Sequence, residues 1–123
     1  MNPFVVTVIT QVTEEQVANS LVGAIEGGSN YWYRDVSHLP YTVRDEPIRL
    51  ILPVTITEDD GTENGAKHHL TKGKICRGLR VMASMHPRHF CREFPPDSDD
   101  YQGDASTADL FLQCCLFGEA RYC

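Results

Sequence analysis

The chain has 123 residues, 41% of them hydrophobic and 23% charged, with a net charge of −6 and a pI near 5.2. That balance suits one ordinary soluble domain with a single core. No apolar run approaches the ~20 residues that a bilayer span needs. The start, "MNPFVVTVIT", lacks the basic n-region and long apolar run of a signal peptide, so the expectation is an intracellular protein.

The net charge hides a segregation. Seven of the eleven basic residues and none of the seventeen acids lie between Ala66 and Arg92, which gives that segment +7 and the rest −13. Separation of this kind makes one face attractive to anions and another to cations when the fold preserves it. The five cysteines, Cys76, Cys91, Cys114, Cys115 and Cys123, are odd in number and show no C-x-x-C pair. They read as reduced thiols rather than a disulfide framework.

Along the chain, "FVVTVITQV" (Phe4–Val12) is β-branched and apolar, and predicts a strand. "TEEQ" places Thr13 and Gln16 in capping-box spacing ahead of a helix over Glu14–Glu26, with Val17, Leu21 and Ile25 on its apolar face. Gly27 is expected to close that helix in the left-handed conformation. "NYWYRDV" reads as a short aromatic strand. "IRLILPVTIT" (Ile48–Thr57) reads as a strand marked by Pro53 as an edge or a bulge. "EDDGTENG" is a turn, and "AKHHL" its returning hairpin strand. Thr71 caps a second helix running to Met85, with Ile75, Leu79 and Met82 as its stripe and Pro87 as its stop. "PRHFCREFPPDSDDYQGD" reads as a long irregular loop. Asp104 or Ser106 caps a last helix with Leu110, Phe111, Cys114 and Phe117 along one side, ended by Gly118. The architecture expected is α+β, a small antiparallel sheet packed with about three helices, in one domain over residues 1–123.

No chemistry declares itself. His86, His89 and Cys91 in "HPRHFC" are the best zinc candidates, with Cys76 or His68 in reserve, but the second ligand pair is missing and Arg88 and Arg92 crowd the site. "DSDDYQGD" fails the EF-hand pattern, because Tyr101 and Gln102 stand where an oxygen ligand and a glycine belong. No serine has a nucleophile-elbow context, and no phosphate-binding glycine pattern occurs. The reading is a non-enzyme with no catalytic residue, metal or cofactor.

Binding surfaces remain. Glu58, Asp59, Asp60 and Glu63, and then Glu93, Asp97, Asp99 and Asp100, are two candidate surfaces for a basic partner, since carboxylates can occupy a site built for phosphates. Trp32 and Tyr33 are candidate aromatic anchors. In the alternative, Lys72, Lys74, Arg77 and Arg80 on the basic helix meet nucleic-acid phosphates, or a basic pocket sequesters a nucleotide signal. For "EGGSNYWY" (Glu26–Tyr33) the preferred reading is structural. Tyr31 and Trp32 then pack on Leu116 and Phe117, while Glu26 clamps the chain ends through Arg121, a tyrosine hydroxyl or backbone amides.

"LVGAIEGGSNYWY" and "ASTADLFLQCCLFGEARYC" together resemble the two ends of a family of short, uncharacterised phage and prophage proteins. In these, a first helix closes on E-G-G-x-x-Y-W, and a last helix carries A-D-x-x-L-Q-x-x-L-F-G-E-x-x-Y. The present chain departs at its end, with Tyr122-Cys123 where the family has Y-G. The resemblance implies a mobile-element origin and a bacterial host cytoplasm. With the acidic surface, it leads to the expectation of an inhibitor of a bacterial defence system, an anti-CRISPR protein that binds an effector complex.

Overall fold

The structure, a computed structural model, describes residues 3–6 and 9–123. Helix α1 (Glu14–Gly23) starts at the anticipated capping box: the Thr13 hydroxyl accepts from the Gln16 amide at 3.1 Å, and Gln16 Oε1 accepts from the Thr13 amide at 3.0 Å. The helix widens into a π-turn over Ala24–Gly28, closed by the Ser29 amide on the Ala24 carbonyl. Gly27 therefore does not end the helix in a left-handed conformation; positive φ occurs at Gly61 and Gly118. The wider turn carries the chain past its last core residue, Ile25, and lets Ser29 point inward.

Three antiparallel strands follow: β1 (Tyr33–Val36), β2 (Val54–Glu58) and β3 (Lys67–Leu70), ordered β1-β2-β3. A bulge between Tyr33 and Asp35 offsets the β1–β2 register. The hairpin of β2 and β3 matches the sequence expectation, pairing Val54 with Leu70 and Thr57 with Lys67. The long strand expected from Ile48 is shorter. Pro53 stands just before β2, which is the central strand, and a residue without an N–H cannot extend a ladder used on both sides. Upstream, only an isolated bridge pairs Tyr41 with Leu50.

Helix α2 (Lys72–Met85) is capped by Thr71, whose hydroxyl accepts from the Lys74 amide at 3.2 Å. Helix α3 (Pro87–Glu93) occupies the first half of the segment read as an irregular loop. Pro87 stops α2 and opens α3, because a proline at the first helical position needs no N–H partner. A single 3-10 turn follows at Ser98–Asp100. Helix α4 (Ala105–Phe117) begins at Asp104, whose carboxylate accepts from the Ser106 and Thr107 amides, and ends at Gly118 with φ 71°.

Helix α4 is the centre of the molecule. Every residue from Thr107 to Leu116 except Leu110 is buried, and α1, α2, α3 and β3 all pack against it. The core gathers Leu21, Trp32, Val54, Ile56, Leu70, Met82, Phe94, Phe111 and Leu112 around it. At the crossing of α2 and α4, a Cβ on Gly78 would lie 2.8 Å from the Cys115 Cα, so only glycine permits that approach. The strand expected over Phe4–Val12 is not formed among its described residues, and Phe4, Val5, Val6 and Ile9 are exposed; Thr7 and Val8 lie outside the described residues. β1 and β3 are the edges of the sheet, yet no described residue of this segment pairs with either, so β-propensity alone does not place it there. The fold is α+β, with four α-helices among the described residues where about three were expected.

Candidate functional site

The aromatic run after α1 is a structural clamp. Asp109, on the buried side of α4, accepts hydrogen bonds from Ser29 Oγ, Tyr31 Oη and Trp32 Nε1, each at 2.7 Å, and from Gln113 Nε2 at 3.0 Å. Gln113, one turn on, uses its carbonyl to accept from the backbone amides of Arg121 (2.8 Å) and Tyr122 (2.7 Å). The pair thus ties the end of α1 to the C-terminal segment. Trp32 is 1% exposed and stacks on Tyr122 with ring centroids 5.5 Å apart, with Phe117 at 5.3 Å. It cannot be the exposed anchor considered from sequence. Tyr33 is half-buried, with its hydroxyl donating to the Ile25 carbonyl. Burial, then the hydrogen bond to Asp109, pushes the Tyr31 phenol up to about 12.

Glu26 is not the clamp. It is exposed at the π-turn and accepts from Tyr41 Oη at 3.3 Å, while Arg121 lies with Glu58 instead. Glu58 itself faces inward: alternation along β2 places it on the same side as Val54 and Ile56, and it is 8% exposed. His68 Nε2 lies 2.6 Å from its Oε2, the Tyr122 hydroxyl donates to its Oε1, and Arg121 Nη1 is 3.7 Å away. Burial alone would raise this carboxyl. The Tyr122 and His68 hydrogen bonds, with the charges of His68 and Arg121, outweigh burial and hold it below the ordinary carboxylate value. Glu58 therefore leaves the list of partner-binding candidates.

Glu93 also leaves that list, since it is buried with its Oε1 accepting from Thr107 and Tyr101, and the remaining acidic candidates are exposed. Asp59 and Asp60 sit in the β2–β3 turn, where Asp59 Oδ1 accepts from the Gly61 amide and Asp60 Oδ1 from the Thr62 amide and hydroxyl. Those two Thr62 bonds hold the Asp60 carboxyl below its usual range. Asp97, Asp99 and Asp100 shape the 3-10 turn, with Asp97 Oδ1 accepting from the Asp99 amide at 3.0 Å. Each turn is thus pre-ordered by its own carboxylates, and among the described residues none of these side chains enters an ion pair. The two turns do not form one surface. The 97–100 turn leads into the start of α4, whereas the β2–β3 turn is fastened near its end by Tyr122 on Glu58 and Phe117 on His68. The 13 residues of α4 span roughly 20 Å at 1.5 Å per residue.

On the basic side, Lys72, Arg77 and Arg80 are exposed on α2, and Lys74 is half-buried. Arg77 donates to the Cys115 carbonyl, so part of its guanidinium is committed to the fold. Arg88 and Arg92, one turn apart on α3, are exposed. Among the described residues no group of three or more His, Cys, Asp or Glu side chains is placed to hold a metal ion, and no helix is long and apolar enough to cross a membrane. All five cysteines are free, and burial pushes the Cys114 thiol up to about 11. Sequence reasoning missed Asp109 and Gln113 as the organising polar pair. Their signal was present as two polar residues four apart in an otherwise apolar stretch of helix.

No known protein family, curated protein or solved structure matches the chain.

Proposed function

We propose that the protein is a non-enzymatic inhibitor, of phage or prophage origin, that binds a basic surface of a bacterial defence protein through its acidic turns. A CRISPR effector complex in the host cytoplasm is the foremost target. The observation that carries this reading is the state of Asp59, Asp60, Asp97, Asp99 and Asp100. All five are exposed and enter no ion pair among the described residues, and the carboxylates of Asp59, Asp60 and Asp97 are held by short-range turn hydrogen bonds. Carboxylates pre-ordered in this way lose little freedom on docking and steer a basic partner toward the surface.

The test is charge reversal of one turn at a time: Asp97, Asp99 and Asp100 to Lys in one variant, Asp59 and Asp60 to Lys in another. Inhibition of the defence system should fall at least tenfold in one variant while the fold stays intact. Full inhibition by both variants would refute the reading.

A second reading is supported by the exposed Lys72, Arg80, Arg88 and Arg92 of α2 and α3, which also enter no ion pair among the described residues. It makes the protein a phage accessory nucleic-acid binder. Binding to duplex or single-stranded DNA that weakens steeply as salt rises, and that Arg80→Glu with Arg88→Glu abolishes, would favour it over the inhibitor.

A further inference from the structure

The segment ahead of α1 holds apolar side chains out in solvent. Phe4, Val5, Val6 and Ile9 are exposed, Phe4 at 97% and Ile9 at 91%. Seven of the nine residues from Phe4 to Val12 are β-branched, which favours an extended chain. In such a chain Phe4 and Val6 fall on one face, and Val5 and Ile9 on the other. A strand that is apolar on both faces is the kind that folds bury. An exposed apolar stretch of this sort marks an interaction surface.

The same chain carries an apolar surface to match. A groove of about 550 Å³ runs between the start of α1, the chain at Leu50 and Leu52, and α2. Val12, Val17, Leu50, Leu52, Ile75 and Leu79 line it. Glu14 Oε2 accepts from the Leu50 amide at 3.0 Å and ties two of its walls together.

The chain's own segment is badly placed to fill this groove. Val12 is part of the groove wall, so the segment would have to reverse direction just ahead of it. The run Phe4–Val12 has no Gly, Pro, Asn or Asp with which to make a tight turn. Extended at ~3.3 Å per residue, it reaches roughly 30 Å, enough to cross to a neighbouring molecule. The exposed side chains of two exchanged segments carry on the order of 1,000 Å² of surface, and the grooves beneath them a comparable area. Together these reach the ~1,200–2,000 Å² of a specific interface.

We propose that the protein is a two-fold dimer, in which the segment bearing Phe4, Val5, Val6 and Ile9 of each copy lies in the groove between α1 and α2 of the other. Each copy supplies one segment and one groove, so the exchange closes with two chains. None of Asp59, Asp60, Asp97, Asp99 and Asp100 lines the groove, and the dimer stands whether or not the acidic turns dock a protein.

The experiment is sedimentation equilibrium of the full chain from low to high micromolar concentration, with a reductant present so that the free thiols do not cross-link. The wild type is expected to sediment as a dimer. Phe4→Asp with Ile9→Asp should sediment as a monomer with an unchanged circular dichroism spectrum, since both side chains are exposed in the single chain. Cys76 lines the groove at an exposed position, so Cys76→Glu should weaken dimerisation at least tenfold without unfolding the chain. The proposal is overturned if the wild type stays monomeric at high micromolar concentration, if it grows past the dimer, or if the doubly substituted segment leaves the dimer intact. Dimerisation of Cys76→Glu at the wild-type strength would overturn it too, by placing the segment on a different surface of the partner.

Discussion

A single carboxylate, Asp109, answers for the order of the aromatic run. It takes four donors from two parts of the chain, and removing it strands the buried Trp32 indole N–H and the Ser29 hydroxyl without acceptors. Hydrogen bonds to a buried charge are worth roughly 1.5–3 kcal/mol each, and orphaned donors add their desolvation cost. Asp109→Ala is therefore expected to lower stability by about 3 kcal/mol or more in urea denaturation. Trp32 is the chain's one tryptophan, so its fluorescence follows the loss of the Tyr122 stack directly. Glu58 gives a pH-dependent counterpart. Its carboxyl is held below the ordinary value of 4.5, so its contribution to stability is complete above that value and is lost as pH falls through the lower folded value. The melting temperature should drop on acidification through this range, and Glu58→Gln should flatten the drop. Asp104, lowered by its hydrogen bonds to Ser106 and Thr107, keeps part of the slope in that variant. An unchanged slope in Glu58→Gln would show that the buried pair with His68 does not govern acid stability. Glu58 was legible in advance from the alternation with Val54 and Ile56. Its acidic neighbours Asp59 and Asp60 drew it into a surface cluster instead.

At the level of elements, local chemistry carried most of the reading. The Thr13, Thr71 and Asp104 caps, the Gly118 stop and the β2–β3 hairpin stand where residue type and spacing put them. The misses came where a neighbour in space decides. Pro87 ends one helix and starts the next because Phe90 and Phe94 have a core to enter beside Phe111. The described residues between 3 and 12 have β-propensity but pair with neither edge of the sheet. The groove lined by Val12 and Leu79 joins residues 67 positions apart, and no spacing in the sequence announces it. The closest helix crossing gives a direct test. Gly78→Ala places a methyl where the Cys115 backbone and sulfur lie, and forces α2 off α4. Overpacking of that kind costs roughly 1–3 kcal/mol. A lower urea midpoint with an unchanged m-value is the expected result.

Taken as a whole, the molecule keeps its charge uneven. The acidic turns attach near opposite ends of α4, whose 13 residues span roughly 20 Å, a length beyond the ~8–10 Å Debye length near physiological salt. They act as independent surfaces, and a partner that needs only one of them should ignore reversal of the other. Reversing a turn breaks no ion pair among the described residues but removes the turn hydrogen bonds of its carboxylates, so stability should fall by about 0.5–1.5 kcal/mol for each bond lost. Thermal melts of the two reversed variants check this, and they separate loss of binding from loss of fold. Under the proposed function, one acidic turn blocks a defence protein. The most direct measurement is the plating efficiency of a CRISPR-targeted phage on hosts with different CRISPR systems, each expressing the wild type or a reversed variant. If the proposal holds, the wild type restores plating at least a hundredfold on one or more of these hosts, and reversal of one turn removes the effect. No restoration on any host, or restoration that survives both reversals, would contradict it.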